Sequence, residues 1–252
     1  MKGRDWDLFL NKVHSTIALD AHLLAQFAEL KIGSTGFLAL ARQCQQATKM
    51  DIAHWKIFRR LDRLWKLLCY MRYAQARTSE GRFCECGVYK GYSALAMSQV
   101  MMVDEKDLPF RELWLLDSFE GLSEPSEQDR VQDSMPQTAV VKGYFAAPLE
   151  DVRQRLSGFS NVRIQKGWIP EVFTALPDGK WAFVHIDVDL YAPILASLEY
   201  FYPRLVSGAV VINDDFGSSL YPGAGKAWME FFQKVGKGYA ILDSGQAVYI
   251  HD

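Results

Sequence analysis

Between residues 51 and 71 apolar side chains recur every three or four positions: Ile52, Trp55, Phe58, Leu61, Trp65, Leu68 and Met71. That spacing places them on one face of an amphipathic helix and predicts a helical cover packed on whatever follows. A shorter helix is expected over Ile17–Leu30, with Gly33 as its C-terminal stop and Ser34 or Thr35 capping the next helix. The rhythm changes at residue 81. Apolar runs FCECG (83–87), LWLLD (113–117), NVRIQ (161–165), WAFVHID (181–187) and AVVIND (209–214) alternate with helical stretches near 92–102, 149–157, 193–204 and 223–235. Strands apolar on both faces, alternating with helices, predict a parallel sheet covered on both sides. The final runs, YAILDS (239–244) and QAVYIH (246–251), meet at Gly245 and are expected to pair antiparallel. The chain divides into a helical cover at 1–80 and a sheet domain at 81–252, with one long loop over 118–147.

At 252 residues the chain is long enough for one large α/β domain with an appendage. A hydrophobic fraction of 49% beside 23% charged residues excludes wholesale disorder. No apolar run reaches the ~18 residues of a membrane span. The segment MKGRDWDLFL is too charged for a secretory signal. Four cysteines without Cys-x-x-Cys or Cys/His metal spacing argue against a disulfide scaffold, so a reducing, cytoplasmic setting is expected. Cys84 and Cys86 read as small buried strand residues rather than ligands or nucleophiles.

The net charge of −2 argues against a surface built to grip nucleic acid, but it hides an asymmetry. Residues 1–80 carry 13 Lys/Arg against 7 Asp/Glu, whereas residues 104–133 carry 10 acidic side chains against 3 basic. These are either solvated faces, or a basic layer that meets an acidic loop of a second subunit or draws in an anionic ligand.

Ligands of open parallel sheets bind beyond the carboxyl ends of the strands. Here almost every strand ends in a carboxylate: Glu85, Asp117, Asp187 and the pair Asp214–Asp215. After the first strand, ECGVYKG gives E-x-G-x-x-x-G, with Gly87 and Gly91 able to bring backbone close to a ligand or simply to make a tight turn. This is not G-x-G-x-x-G, so a dinucleotide fingerprint fails at its first glycine. Asp117, ending the second strand, is placed to accept both hydroxyls of a ribose. The pair suits S-adenosylmethionine as well as a dinucleotide. Asp187, Asp214 and Asp215 end neighbouring strands under ~5 Å apart and converge on a volume the size of an ion. An all-oxygen set suits Mg²⁺, Ca²⁺ or Mn²⁺ rather than zinc. The alternative is that Asp187 caps a helix and Asp214 forms a turn.

At these residues the sequence resembles the macrocin O-methyltransferase family of S-adenosylmethionine- and metal-dependent sugar O-methyltransferases. The resemblance runs over roughly 81–235 and rests on ECGVYKGYSA, LDSFEGL, KGYF, QKGWIPEVF, FVHIDVDLYAPILASLEYFYPRL and INDDFG followed by PGAGKA. It implies the class I methyltransferase fold: a Rossmann-like three-layer sandwich around a seven-stranded, mostly parallel sheet whose last strand is antiparallel. It implies that Glu85, Gly87, Gly91 and Ser93 line the methionine end of the cofactor and that Asp117 holds the ribose. Phe119, Gly167 and Trp168 would lie by the adenine and substrate edges, and Asp187, Asp214 and Asp215 would hold a divalent cation. Catechol-type relatives place a lysine three positions after the first metal aspartate, where this chain has Leu190.

Asp187 is therefore the candidate general base, with Asp189 second, and His185 is expected to be a hydrogen-bonded core histidine. The leading expectation is methyl transfer to a hydroxyl of a sugar or glycosylated metabolite, a phenolic acceptor being the alternative. A nucleotide-dependent oxidoreductase and a non-catalytic cofactor-binding module are the competing classes. The acceptor is expected to be a small molecule, with neither nucleic acid nor membrane as partner. The helical cover and the family likeness imply a homodimer or larger homo-oligomer.

Overall fold

Apolar side chains alternate to both faces of each central strand, and helices cover both. The computed structural model describes residues 33–49, 57–102, 111–131 and 141–252. Its strands are β1 (Arg82–Cys86), β2 (Leu113–Asp117), β3 (Val162–Lys166), β4 (Trp181–Ile186), β5 (Leu205–Asn213), β6 (Ala240–Ile241) and β7 (Ala247–Ile250). Its helices are α1 (Gly33–Thr48), α2 (Ile57–Arg77), α3 (Tyr92–Met102), α4 (Leu149–Leu156), α5 (Tyr191–Phe201) and α6 (Pro222–Val235). The strands form one sheet in the order β3-β2-β1-β4-β5-β7-β6. β1 to β5 are parallel, and β7 runs antiparallel to both of its neighbours.

Two cores sandwich the sheet. On one face Leu61, Trp65, Leu68 and Met71 of α2 pack with α3 on Phe83, Phe183 and Val210. On the other, Ile194 and Leu198 of α5 and Ala227 and Trp228 of α6 pack on Cys84, Val184 and Val211. Each fully buried large side chain contributes about 1.5–3 kcal/mol, so the predicted stripe on α2 makes it a wall of the core rather than a loose flap. All four cysteines are buried and unbridged.

The parallel sheet and its reversed hairpin are as the sequence predicts, and boundaries shift by small amounts. β5 begins at Leu205, four residues before the apolar run, because Leu205 pairs with Trp181 across an irregular step. α1 starts at Gly33, so Ser34 and Thr35 fall within its first turn instead of capping it. The helix expected over Ile17–Leu30, together with Ile52 and Trp55, lies outside the described residues.

Asp129 ties the acidic loop to the start of α5. α5 has no side-chain cap of its own, and Asp129, only 2% exposed, accepts the Tyr191 N–H at 2.7 Å. Its other oxygen accepts from the Ser126 N–H and hydroxyl. Losing such a cap costs about 1–2 kcal/mol, so Asp129→Ala is expected to lower Tm by about 2–8 °C. Hydrogen exchange over 118–131 should rise in the same variant. Unchanged exchange would show that the loop is held by something other than Asp129.

Candidate active site

The strand order reverses about β1, where the chain runs outward through β2 and β3 on one side and through β4 and β5 on the other. Backbone bonds align the strand ends: Gly87 N–H donates to Leu116 O, Asp187 N–H to Cys86 O, and Asp214 N–H to Ile186 O, at 2.8–2.9 Å. Asp117, Gly87, Asp187 and Asp214 therefore stand in a row along one sheet edge. They face a cavity of about 740 Å³, also walled by Gly167, Trp168, Asp189 and Asp215. The acidic loop adds Leu122, Tyr144 and Phe145, and α2 adds Arg60 and Arg63. A smaller cavity of about 60 Å³ shares Asp187, Asp214, Arg60 and Arg63 and reaches Ser93.

Not every expected residue reaches this space. Glu85 is fully buried beneath it, where Glu85 Oε1 lies 2.9 Å from His185 Nδ1. Phe119 is buried beside Asp117 and is not among the cavity walls. Gly91 faces Val152. Gly87 has a φ of +89°, and a Cβ there would lie 1.9 Å from the Asp187 carbonyl oxygen. The glycine thus serves the close approach of β1 and β4. The Asp117 carboxylate accepts three backbone N–H groups, from Val88, Tyr89 and Phe119, at 2.6–2.8 Å. It pins the glycine turn to the end of β2. Tyr89, Phe119, Phe145 and Asp189 all have positive φ, so left-handed non-glycine backbone, costly in most settings, gathers around the cavity.

The acids do converge. Asp187, Asp214 and Asp215 each offer an oxygen within 4.8 Å of the others. Asp129 caps α5, and Asn213 Oδ1 accepts the Asp215 N–H at 3.0 Å, so neither Asp187 nor Asp214 is needed for a cap or turn. Asp215 Oδ2 is buried with no hydrogen-bond partner among the described residues. Such an orphan costs free energy and fits a missing cation.

Asp214, unlike its neighbours, is already engaged. Its Oδ2 lies 2.8 Å from Arg63 Nη1, and its Oδ1 accepts from Gln246 Nε2 at 2.7 Å. Burial opposes ionisation, yet Arg63 and His185 hold the Asp214 carboxyl well below the usual carboxylate range. Burial pushes Asp187 up, and the charges of Asp214 and Asp215 add to it. Asp189 is raised by burial, then by Asp215 and Asp187. Burial alone would lower His185, but the Asp214 carboxylate 3.6 Å from Nε2 and the Glu85 carboxylate 2.9 Å from Nδ1 raise it well above its ordinary value. His185 is thus a buried, hydrogen-bonded histidine as expected.

Arg63 and Gln246 are the residues that sequence reasoning missed. The basic excess of the cover was the available signal for Arg63. Gln246 sits in a tight hairpin turn and carries no motif.

Residues 38–243 match the family model described as Macrocin-O-methyltransferase (TylF). The chain belongs to that family. A relative within reach of this macrocin O-methyltransferase family member is "8-demethyl-8-(2,3-dimethoxy-alpha-L-rhamnosyl)-tetracenomycin-C 4'-O-methyltransferase" of Streptomyces olivaceus. It is 32% identical over 140 residues, which are 54% of this chain and 53% of the relative. The chain therefore spans about half the length of the curated relatives it matches. Among solved structures, the O-methyltransferase NovP superposes with a TM-score of 0.69 at 20% identity, over 86% of this chain and 98% of that one. The SAH-bound Podospora anserina methyltransferase PaMTH1 gives 0.52 at 14% identity, over 94% and 95%. The fold is the class I methyltransferase fold that the macrocin O-methyltransferase resemblance implies. Among the described residues no helix is long and apolar enough to cross a membrane.

Proposed function

We propose that this chain is an S-adenosylmethionine-dependent O-methyltransferase acting on a hydroxyl of a sugar or glycosylated metabolite, with a divalent cation at Asp187, Asp214 and Asp215. The observation that carries this reading is one cavity at the switch point, with the Asp117-pinned glycine turn on one wall and the acid cluster on another. The family match, the SAH named in the PaMTH1 structure and the rhamnosyl substrate in the relative's name support the donor and acceptor classes.

The bond that forms joins the acceptor oxygen to the methyl carbon, while the bond from that carbon to the sulfonium sulfur breaks. In-line placement of donor and acceptor, about 3 Å apart, supplies much of the rate, and the rigid strand edge provides it. Three of the four lone-pair sites of Asp117 accept backbone N–H groups, which leaves one on Oδ1 for a ribose hydroxyl. The acceptor proton would pass to Asp187 on the cavity wall, with Asp189 next in reach. A divalent cation, when bound, makes the acceptor hydroxyl easier to deprotonate. Helix α2 walls the cavity and turns Arg60 and Arg63 toward it.

Calorimetry is expected to detect S-adenosylmethionine binding and no NAD binding. Asp117→Ala should weaken the former by about 1–3 kcal/mol. A panel of glycosides assayed with and without chelator should give turnover only when the cation is present. Absence of S-adenosylmethionine binding overturns the reading; full turnover under chelator overturns its metal part alone.

A further inference from the structure

A guanidinium lies where a cation is expected to bind. Arg63 Nη1 stands 2.8 Å from Asp214 Oδ2 and 3.7 Å from Asp215 Oδ1, and the side chain is only 14% exposed. It comes from helix α2, not from the sheet that carries the acids. Its Nε donates to Ser244 O at 3.4 Å, and its backbone carbonyl accepts from Gln246 Nε2 at 3.3 Å. Resting on the metal reading above, we propose that Arg63 is an exchangeable internal counter-ion: it neutralises Asp214 and Asp215 in the empty site and gives way when a divalent cation binds.

The argument is one of charge and space. A divalent cation takes carboxylate oxygens at about 2.0–2.6 Å. An always-charged guanidinium holding the same Asp214 oxygen would then sit within a few ångströms of a doubly positive ion, inside a cavity that screens poorly. The two positive charges repel, so a bound cation weakens the hold of Arg63 on Asp214. Without either, four carboxylates (Asp187, Asp189, Asp214 and Asp215) would face each other with Arg60 as the remaining cavity-wall arginine. The buried Asp215 Oδ2 without a partner shows that Arg63 leaves the acids incompletely matched, as a stand-in of lower charge would. Asp214 itself need not move during the exchange. Gln246 is fully buried and holds Asp214 Oδ1 at 2.7 Å through its side chain, a contact that does not involve the Arg63 guanidinium. The partner that moves is therefore on the cover, and cation loading is coupled to the first turns of α2.

Mn²⁺ binding to the full chain, measured by calorimetry, tests this. Arg63→Met is expected to bind Mn²⁺ about tenfold or more tighter than the wild type, the size of one charge-assisted hydrogen bond removed from the competitor. Arg63→Lys, which keeps the charge without the planar fork, should fall between them. Binding to Arg63→Met with none to the wild type also supports the exchange. Equal affinities in the wild type and Arg63→Met overturn it and leave the metal reading intact. No Mn²⁺ binding to either chain overturns the metal reading and the exchange with it. If neither variant folds, hydrogen exchange in the wild type decides: Mn²⁺ should speed exchange over 57–66, and no change there overturns the proposal.

Discussion

Replacing Asp187 by alanine is expected to reduce methyl transfer by about 10²–10⁴-fold, the usual worth of a general base, while leaving S-adenosylmethionine affinity unchanged. The reasoning rests on what the carboxylate does not do. The turn after β4 is fixed by backbone, with Asp187 N–H donating to Cys86 O at 2.8 Å, and α5 is capped by Asp129. Among the described residues neither this turn nor the start of α5 is held by the Asp187 side chain. Its removal instead relieves a crowd of acids, since Asp214 and Asp215 both push its pKa upward. The melting temperature of Asp187→Ala should therefore equal or exceed that of the wild type, the expected sign where an active site stores unfavourable charge. A large fall in Tm would identify Asp187 as a structural residue and its activity loss as unfolding. Asp187→Asn keeps the shape without the basicity, and it should lose activity to a similar extent.

The sheet, its strand ends and the acid set were legible because each follows from short-range pattern. Apolar runs such as LWLLD and WAFVHID can only be buried strands, and a strand that ends in an aspartate puts that aspartate at the ligand edge. What the pattern does not carry is which buried polar group answers which. Glu85 stands at a strand end like Asp117, but register pairs it with His185 across β1 and β4, so it supports the floor of the site. Arg63 sits within a helix whose polar positions look solvated; its pairing with Asp214 spans 151 residues and arises from how α2 lies on the sheet. Gln246 is equally remote, reaching Asp214 from a hairpin that one-dimensional reading uses only as a turn. Long-range polar contacts of this kind depend on packing geometry, which residue type and spacing leave undetermined. At Arg63 the basic cover meets Asp214 and Asp215 of the same chain rather than the acidic 104–133 segment.

Gly87→Ala is expected to be among the most damaging single-methyl changes in the chain. A Cβ at this position would lie 1.9 Å from the Asp187 carbonyl oxygen and 2.7 Å from its carbonyl carbon. Both are backbone atoms at the end of β4, so no side-chain rotation can relieve the clash. The left-handed φ of +89° adds about 1–2 kcal/mol for any residue with a Cβ. Overpacking adds about 1–3 kcal/mol, for a total near 3 kcal/mol and a fall in Tm of about 6–12 °C. The neighbouring glycine separates the two causes. Gly91 has a φ of +77°, but its Cβ would meet nothing closer than Val152 Cγ1 at 3.4 Å. Gly91→Ala should therefore carry only the backbone part, about 1–2 kcal/mol, and retain turnover. Gly87→Ala should lose turnover as well, because pushing β1 from β4 moves Asp187 relative to Asp117 and separates the base from the donor it must serve. Equal destabilisation in the two variants would mean that the strand ends can part without strain, and the rigid edge assumed for in-line transfer would go with it.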